Sequence, residues 1–295
     1  MSTLTLQGSR IVSFIAATLA LVSPIRNWKY LRKVVGVQWR NRRLALEMVR
    51  RELRSQFAGQ FFGLFWIFGH PLIQCVIYIF IFTIVFKTRI DQTFEMPRDY
   101  TTYILVGVVP WLFVQQSLVR TASSLVAQAN LVKQVVFPVE VLPFCAVLVS
   151  LVPLIVGLAV ITLYALISQG SLPWTYLLLP LVIATSIALM TGIGLILAVI
   201  TPFFRDIKDI IQVGTIVGVY LIPAFYLPQW IPQKLQFVIY LNPFSYFIWV
   251  YQDVLYFGHI AHPMAWVFVL IGSFGILALG YRAFETVRMF IADVL

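Results

Sequence analysis

The chain has 295 residues, of which 61% are hydrophobic and only 11% are charged, with a formal net charge of +10. Soluble domains carry about 25% charged residues, so the composition argues against a soluble protein and predicts a polytopic α-helical membrane protein. Transmembrane barrels use alternating segments of about ten residues, whereas the apolar runs here are much longer and do not alternate. The basic residues lie beside apolar runs, which favours an anionic lipid surface over nucleic acid as a partner.

Residues 1–25 form an uncertain N-terminal extension. Their apolar run at 11–22 is shorter than the roughly 20 residues that span a membrane, so we interpret it as an interfacial or packed cytoplasmic element. A signal peptide is the alternative, because the run has the length of a signal-peptide core. Cleavage there would place the following basic segment outside, against the positive-inside tendency.

Residues 26–57 form a basic amphipathic segment that contains ten of the 21 Lys and Arg residues. Its apolar residues follow helical three-four spacing: Trp28, Leu31, Val35, Trp39, Leu46, Val49, Leu53 and Phe57. An apolar stripe with two Trp residues and flanking cations predicts a helix lying in the membrane interface. The alternative is a solvated cytoplasmic helix packed on a partner.

Charge-free runs predict six membrane spans. The spans lie at about 61–86, 100–119, 141–167, 174–200, 210–227 and 263–281. His70-Pro71 is expected to kink or break the first span, and Arg205 and Asp206 belong to a short charged cytoplasmic turn before the fifth. This topology puts 17 of the 21 Lys and Arg residues on the cytoplasmic side, with both termini inside.

Residues 228–262 do not form a clean span, because they combine apolar and aromatic residues with three prolines and two charges. The segment divides into halves at 229–241 and 243–257, hinged at Asn242-Pro243. We predict a re-entrant helix pair, a form tolerated where it is buried in protein or lines a cavity. One more irregular span is the alternative, and it would place the tail outside.

Several absences narrow the functional class. None of the six predicted spans contains Asp, Glu, Lys or Arg, which argues against an ion-coupled pump. The chain has no G-x-x-x-x-G-K-[ST] phosphate loop and no readable acid–base set or metal-ligand cluster. Cys75 and Cys145 lie in apolar runs and are interpreted as small buried hydrophobes. We therefore expect no cofactor on this chain and no enzymatic activity of its own.

Aromatic residues crowd the first span and the last third of the chain, which is typical of an interfacial aromatic belt. A second interpretation is a stacking surface for sugar rings, since an aromatic face holds a pyranose without a fixed charge. The candidate path residues are Phe61, Phe65, Trp66, Tyr220, Tyr226, Trp230 and Trp249.

Five groups of residues recur in the order of one known family. They are Arg51-Glu52 with Phe57, Phe62-Gly63, Trp66 and Pro71; Asn130-Leu131-Val132-Lys133; Phe137-Pro138-Val139-Glu140 with Pro143; Phe204-Arg205-Asp206-Ile207; and Asn242-Pro243. Together they resemble the membrane subunits of type-2 ABC exporters for polysaccharide and polyol phosphate. Phe62 replaces the usual Leu, Gln60 stands where Ser is frequent, and Val139 stands where Arg is common.

The resemblance implies a half-transporter. Two copies of the chain pair, and two copies of a separate cytoplasmic ATPase bind beneath them and carry the ATP and Mg²⁺. The coupling segment would include Asn130, Lys133, Phe137, Pro138 and Glu140. Asn242-Pro243 would be the re-entrant hinge.

The implied substrate is a lipid-linked polysaccharide crossing a bacterial inner membrane, with O-antigen the first choice and capsule the second. Arg50, Arg51 and Arg54 could attract its pyrophosphate at the inner surface. Teichoic acid, a drug or a small lipid are alternatives within the family. Alternatives from other classes are an ion-coupled secondary transporter and a membrane-embedded lipid-modifying enzyme.

Overall fold

A computed structural model describes residues 24–85, 98–134 and 138–294. These residues contain helices and turns but no strand. The helices are α1 Pro24–Arg40, α2 Arg42–Gln56, α3 Trp66–Phe80, α4 Tyr100–Ala127, α5 Ala129–Gln134, α6 Val141–Gln169, α7 Leu179–Ile200, α8 Ile207–Gly218, α9 Gln236–Leu241, α10 Pro243–Gln252 and α11 Pro263–Val294. Apart from its last two residues, the N-terminal extension lies outside the described part of the chain.

In the described part of the chain, five helical segments are long and apolar enough to cross a membrane. They are Trp66–Val85, Tyr100–Ala127, Val141–Ser168, Trp174–Ile200 and Pro263–Arg288. The prediction of an all-helical integral membrane protein is therefore confirmed. The predicted span at 210–227 is different, because α8 and the 3-10 turn Val219–Leu221 together reach only about 24 Å. That falls short of a hydrocarbon core of about 30 Å, so the count of six spans stays a prediction.

Helix α4 is the centre of the bundle, and its residues 101–111 are all buried. Asp99 caps its first turn by accepting a hydrogen bond from the Thr102 backbone N–H at 3.0 Å. Glycines on two neighbouring helices allow close approach. A Cβ on Gly157 of α6 would lie 2.5 Å from Val109, and one on Gly194 of α7 would lie 2.7 Å from Thr121.

Helices α7 and α11 cross in direct backbone contact. A Cβ on Gly280 would lie 2.1 Å from the Gly192 carbonyl oxygen, so neither position has room for a side chain. Small residues at a crossing let membrane helices pack closely where lipid gives no hydrophobic driving force between them. This crossing fixes the last long helix against the core of the bundle.

Helix α3 lies at the edge of the bundle, with most of its large apolar side chains exposed. Of the predicted kink or break at His70-Pro71, the break is wrong, because helical residues run without interruption from Trp66 to Phe80, and the kink stays a prediction. Pro71 lies in the second turn, where it removes one hydrogen bond without ending the helix. The chain breaks earlier, at Gly59 and Gly63, whose φ angles of +78° and +48° suit glycine.

Helices α1 and α2 are nearly continuous across Asn41, whose N–H donates to the Val37 carbonyl at 3.0 Å. The predicted apolar stripe divides along their length. Trp28, Val35, Trp39 and Leu46 are exposed, whereas Val49 and Phe57 are buried. On the protein-facing side of α1, Val34 is buried in the apolar cluster that contains Tyr281 and Phe284 of α11, and Leu31 of the predicted stripe packs against the same cluster.

The predicted hinge coincides with a real break between two short helices. Asn242 ends α9 in an extended conformation (φ −76°, ψ 115°), and its side chain accepts from the Phe244 N–H at 3.0 Å. Pro243 then starts α10, where a missing N–H costs no hydrogen bond. A π-helical turn, Asp253–Phe257, ends the second half. Only residues 236–241 of the predicted first half form an α-helix, and the re-entrant pair stays a prediction.

Candidate functional site

The two ends of the bundle differ in chemistry. The basic end consists of α1, α2 and α5, the start of α6 and the ends of α4 and α11. The aromatic end consists of the starts of α4 and α11, the turn before α7 and residues 219–262. Each end contains a cavity, and among the described residues the two cavities share no lining residue.

The basic-end cavity has a volume of about 180 Å³ and lies between the end of α2 and helices α3, α4 and α6. Its apolar wall contains five polar or ionisable side chains from three helices: Gln56, His70, Gln74, Gln116 and Arg120. Burying a polar side chain in an apolar setting is energetically costly, and such side chains usually face a functional cavity. Their convergence makes this cavity the first candidate for contact with a polar substrate group.

Arg120 is the cation of the basic-end cavity. Its guanidinium donates to Gln56 Oε1 at 3.0 Å and lies 3.7 Å from Glu52 Oε1, and the side chain is 28% exposed. Arg120 and Glu52 also line a neighbouring cavity of about 210 Å³, so the guanidinium stands between two open volumes. The second predicted span ends at residue 119, whereas α4 continues to Ala127 and carries Arg120.

The three arginines predicted at the entrance have a different setting. Arg50, Arg51 and Arg54 are exposed on α2 and are absent from the lining of the basic-end cavity. Leu53 and Gln56, from the other side of the same helix, do line it. The three arginines therefore lie on the exposed side of α2, outside the cavity lining, and their role in attracting pyrophosphate stays a prediction.

The aromatic residues at the start of the first span also divide into two groups. Trp66 lines the basic-end cavity and packs against His70 with ring centroids 4.8 Å apart. Phe61 and Phe65 point away and are exposed, with Phe61 at 96% of its maximum. The structure thus brings only Trp66 of this predicted set to the cavity.

At the aromatic end, five rings form a continuous row, in which Tyr220 and Trp230 are exposed and Phe225, Phe82 and Tyr100 are half-buried. Successive centroid distances are 5.8 Å for Tyr220–Phe225, 6.4 Å for Phe225–Phe82, 6.1 Å for Phe82–Tyr100 and 6.0 Å for Tyr100–Trp230. The predicted Tyr220 and Trp230 are members of this row. The predicted Tyr226 lies beside it, and its hydroxyl donates to the Tyr220 carbonyl.

Trp249 is not part of the aromatic row. It is only 3% exposed, stacks on His262 at 5.1 Å, and lines the aromatic-end cavity. Asp253 and His262 bind each other beside it, with 2.8 Å between Asp253 Oδ1 and His262 Nδ1. No acid–base set was readable from the sequence, and this pair was missed. The sequence signal for the pair is the spacing of nine residues between Asp253 and His262 across a turn at Gly258. That spacing alone is too weak to predict the contact.

The predicted coupling residues lie around the short helix α5. Asn130 is exposed on α5, and Lys133 is described by its backbone in the same helix. Phe137 lies outside the described residues. Pro138 begins the turn into α6 by accepting from the Val141 N–H at 2.9 Å. Glu140 is buried and accepts from Arg288 Nη1 at 3.4 Å, so its carboxylate is turned towards α11.

The end of α11 joins separate parts of the basic end. Arg282 lies over the Tyr30 ring at 5.7 Å, and Glu285 pairs with Lys33 of α1. Arg288, one turn further along, binds Glu140. The sequence predicted only a cytoplasmic tail here. Charges spaced three residues apart at 282, 285 and 288 were the available signal for a packed helical face.

The charged turn between α7 and α8 is exposed, including Arg205 and Asp206. The Asp206 carbonyl accepts from the Ile210 N–H at 3.0 Å and so starts α8. Cys75 and Cys145 are buried free thiols, as predicted. Among the described residues, no group of three or more His, Cys, Asp and Glu side chains is placed to hold a metal ion.

Helices of spanning length, packed around buried polar side chains, define the chain as a multi-span integral membrane protein. Residues 43–256 match the family model described as ABC-2 type transporter, and the chain belongs to that family.

Curated relatives cover most of the chain. Two proteins from Klebsiella pneumoniae, each named O-antigen export system permease protein RfbA, are 24% identical over 254 residues, which cover 85% of this chain and 95% of the relative. A Myxococcus xanthus protein of the same name is 26% identical over 227 residues, covering 76% of this chain and 84% of the relative.

Proposed function

We propose that this chain is the transmembrane subunit of an ATP-driven exporter that moves lipid-linked O-antigen polysaccharide across a bacterial inner membrane. The observation that carries the proposal is the match to O-antigen export permeases over nearly their whole length. Membership of the ABC-2 family supports a separate ATPase subunit as the energy source. Capsular polysaccharide is the second candidate substrate.

The topology of the proposal places the basic end in the cytoplasm. Lys and Arg residues concentrate there, which follows the positive-inside tendency and puts both termini inside. Residues 222–227 would complete a sixth crossing begun by α8, and 228–262 would form the re-entrant pair. The exposed apolar faces of α3 and α8 are then available to membrane lipid and to a second copy of the chain.

The substrate route begins at the basic end. Exposed Arg50, Arg51 and Arg54 attract the pyrophosphate to the surface, and Arg120 receives it at the mouth of the basic-end cavity. The exposed Trp28 and Trp39 on the same helical unit hold α1 in the membrane interface, beside the lipid. The glycan then passes the aromatic row, which offers ring faces without a fixed charge.

Coupling to the ATPase uses the segment that contains α5. Asn130 is exposed for contact, while Glu140 ties the far end of the segment to Arg288. A movement of α5 driven by the ATPase would therefore be transmitted to α11 and, through the pair of Glu285 with Lys33, to α1. This route assigns Glu140 to transmission inside the chain and Asn130 to contact with the partner.

Deletion of the gene tests the function directly. Surface O-antigen should be lost, lipid-linked polymer should accumulate on the cytoplasmic side, and a plasmid copy should restore export. Inactivating the partner ATPase should reproduce the phenotype. Loss of capsule with O-antigen unchanged would favour the second substrate. Export that survives the inactive ATPase but stops when ion gradients collapse would favour a secondary transporter.

A further inference from the structure

The aromatic-end cavity has the form of a small-molecule site. Its volume is about 420 Å³, within the range of about 300–1,000 Å³ that is usual for ligand pockets. Aromatic walls come from Tyr240, Trp249 and Phe257, and hydrogen-bonding groups come from His259 and His262. The described residues that line it include no Lys, Arg, Asp or Glu, so the lining favours a neutral polar ligand.

A buried carboxylate holds one wall of this cavity in place. Asp253 is 0% exposed, and its Oδ2 accepts from the His262 backbone N–H at 3.0 Å and from Trp266 Nε1 at 2.9 Å. Its Oδ1 lies 2.8 Å from His262 Nδ1. Burial of a carboxylate is costly unless donors satisfy it, and here three donors converge on one group. The result is a loop, 258–262, tied to the end of α10.

His262 is thereby presented in a fixed orientation. Its ring lies parallel to Trp249, with an interplanar angle of 6° and centroids 5.1 Å apart. Because Asp253 occupies Nδ1, Nε2 is the ring nitrogen left for a ligand. Gln252 is fixed in a similar way, since its Nε2 donates to the Pro223 carbonyl at 2.7 Å and leaves its amide oxygen as an acceptor.

We propose that the aromatic-end cavity is a binding subsite for one neutral sugar residue of the exported glycan. Aromatic walls suit the C–H faces of a pyranose, and fixed groups such as His262 and Gln252 suit its hydroxyls. The subsite rests on the proposed function, because the glycan supplies the sugar. It differs from the aromatic row, whose uncharged ring faces allow sliding, since an oriented imidazole and amide select a hydroxyl pattern.

Photo-crosslinking in cells tests the subsite in the intact permease–ATPase complex. A benzophenone amino acid at His259, which lines the cavity, should capture glycan and give a ladder on the permease band with anti-glycan serum. The matched control is Ile260, the exposed next residue, which is absent from the lining. We expect at least tenfold more glycan at His259 than at Ile260.

A third position separates failure of the subsite from failure of the function. The same amino acid at Tyr220, in the aromatic row, reports passage of the glycan. Capture at Tyr220 with equal or no capture at His259 and Ile260 would overturn the subsite and leave the function standing. No capture at any position, with surface glycan unchanged by gene deletion, would overturn both.

Binding to the purified complex gives an independent measurement. The probe is a mixture of short oligosaccharides released by mild acid from the same surface glycan, followed by saturation-transfer NMR and titration calorimetry. His262→Ala should weaken binding at least tenfold, and Ile260→Ala should leave it unchanged. Tyr240→Ala, at a half-exposed wall, repeats the test without disturbing the buried Asp253 pair. Unchanged affinity in both lining variants would overturn the subsite.

Discussion

At the basic end, charged side chains lie in ion pairs that join separate helices, such as Arg120–Glu52 and Arg288–Glu140. At the aromatic end, the polar contacts of the described residues are mostly hydrogen bonds to backbone carbonyls, and the buried carboxylate of Asp253 holds a loop. A pyrophosphate needs cations, whereas a neutral glycan needs ring faces and hydroxyl partners. The difference suggests that the two ends handle different parts of one substrate.

The ends also differ in how firmly their polar groups are fixed. Asp253 is completely buried with three donors, whereas Arg288 pairs from a half-exposed position with a carboxylate that is 8% exposed. A pair at the aromatic end should therefore contribute more to stability than a pair at the basic end. Substitutions at the two ends can be ranked on this basis.

The largest effect is expected for Asp253→Ala. The change leaves the His262 and Trp266 donors without their buried acceptor, which should lower the free energy of unfolding by about 2–4 kcal/mol. Thermal melting of the purified complex would show this as a lower Tm. Asp209→Ala, at an exposed carboxylate on α8, is the control and should leave Tm unchanged. Equal melting of the two variants would contradict the comparison.

A large functional effect is expected at the basic end for Arg120→Ala. Loss of the guanidinium removes the cation of the basic-end cavity and should lower surface O-antigen at least tenfold, measured against permease abundance in the membrane. Arg120→Lys should restore export in part, because a charge returns without the planar fork. Arg43→Ala, at an exposed arginine of α2, should export normally. Normal export by Arg120→Ala would remove Arg120 from the route.

A smaller effect on stability is expected for Arg288→Ala. Glu140 would keep a buried charge without the guanidinium that pairs with it, and the half exposure of Arg288 limits the cost to about 1 kcal/mol. Adding Glu140→Gln should recover most of the lost Tm, because the uncompensated charge is then gone. A double variant that melts below Arg288→Ala would show that Glu140 is stabilised by something other than Arg288.

Much of the bundle follows from the sequence because a charge-free run must be a helix in lipid, where backbone groups have no water. This is why five predicted spans start close to their observed helices. The ends were harder to predict, since α4 and α11 continue beyond the predicted spans on packing that hydropathy does not report. The stripe of α1 divided for the same reason: spacing identifies an apolar face, but a neighbouring helix decides which part is covered.

The site residues show the same limit. Glu140 and Arg288 are 148 positions apart, so no local pattern could join them. The second predicted span ends before Arg120 because a charge lowers the hydropathy there. Arg120 nevertheless belongs to α4, and its guanidinium donates to Gln56 Oε1. Trp249 was grouped with Tyr220 and Trp230 by residue type. Only the fold separates a buried ring that lines a cavity from the rings of the aromatic row.

The smallest effect is expected in the aromatic row, for Trp230→Ala. The row contains five rings, so removing one leaves most of the stacking surface, and export of long polymer should fall only about two- to threefold. Trp230→Phe should export normally, because it keeps a ring face and loses only the indole N–H. Trp174→Ala, an exposed tryptophan outside the row, is the matched control for general effects at the membrane surface. Pulse-labelled polymer reaching the surface gives the rate. If Trp174→Ala and Trp230→Ala slow export equally, the row acts as an interfacial belt and the glycan does not depend on it.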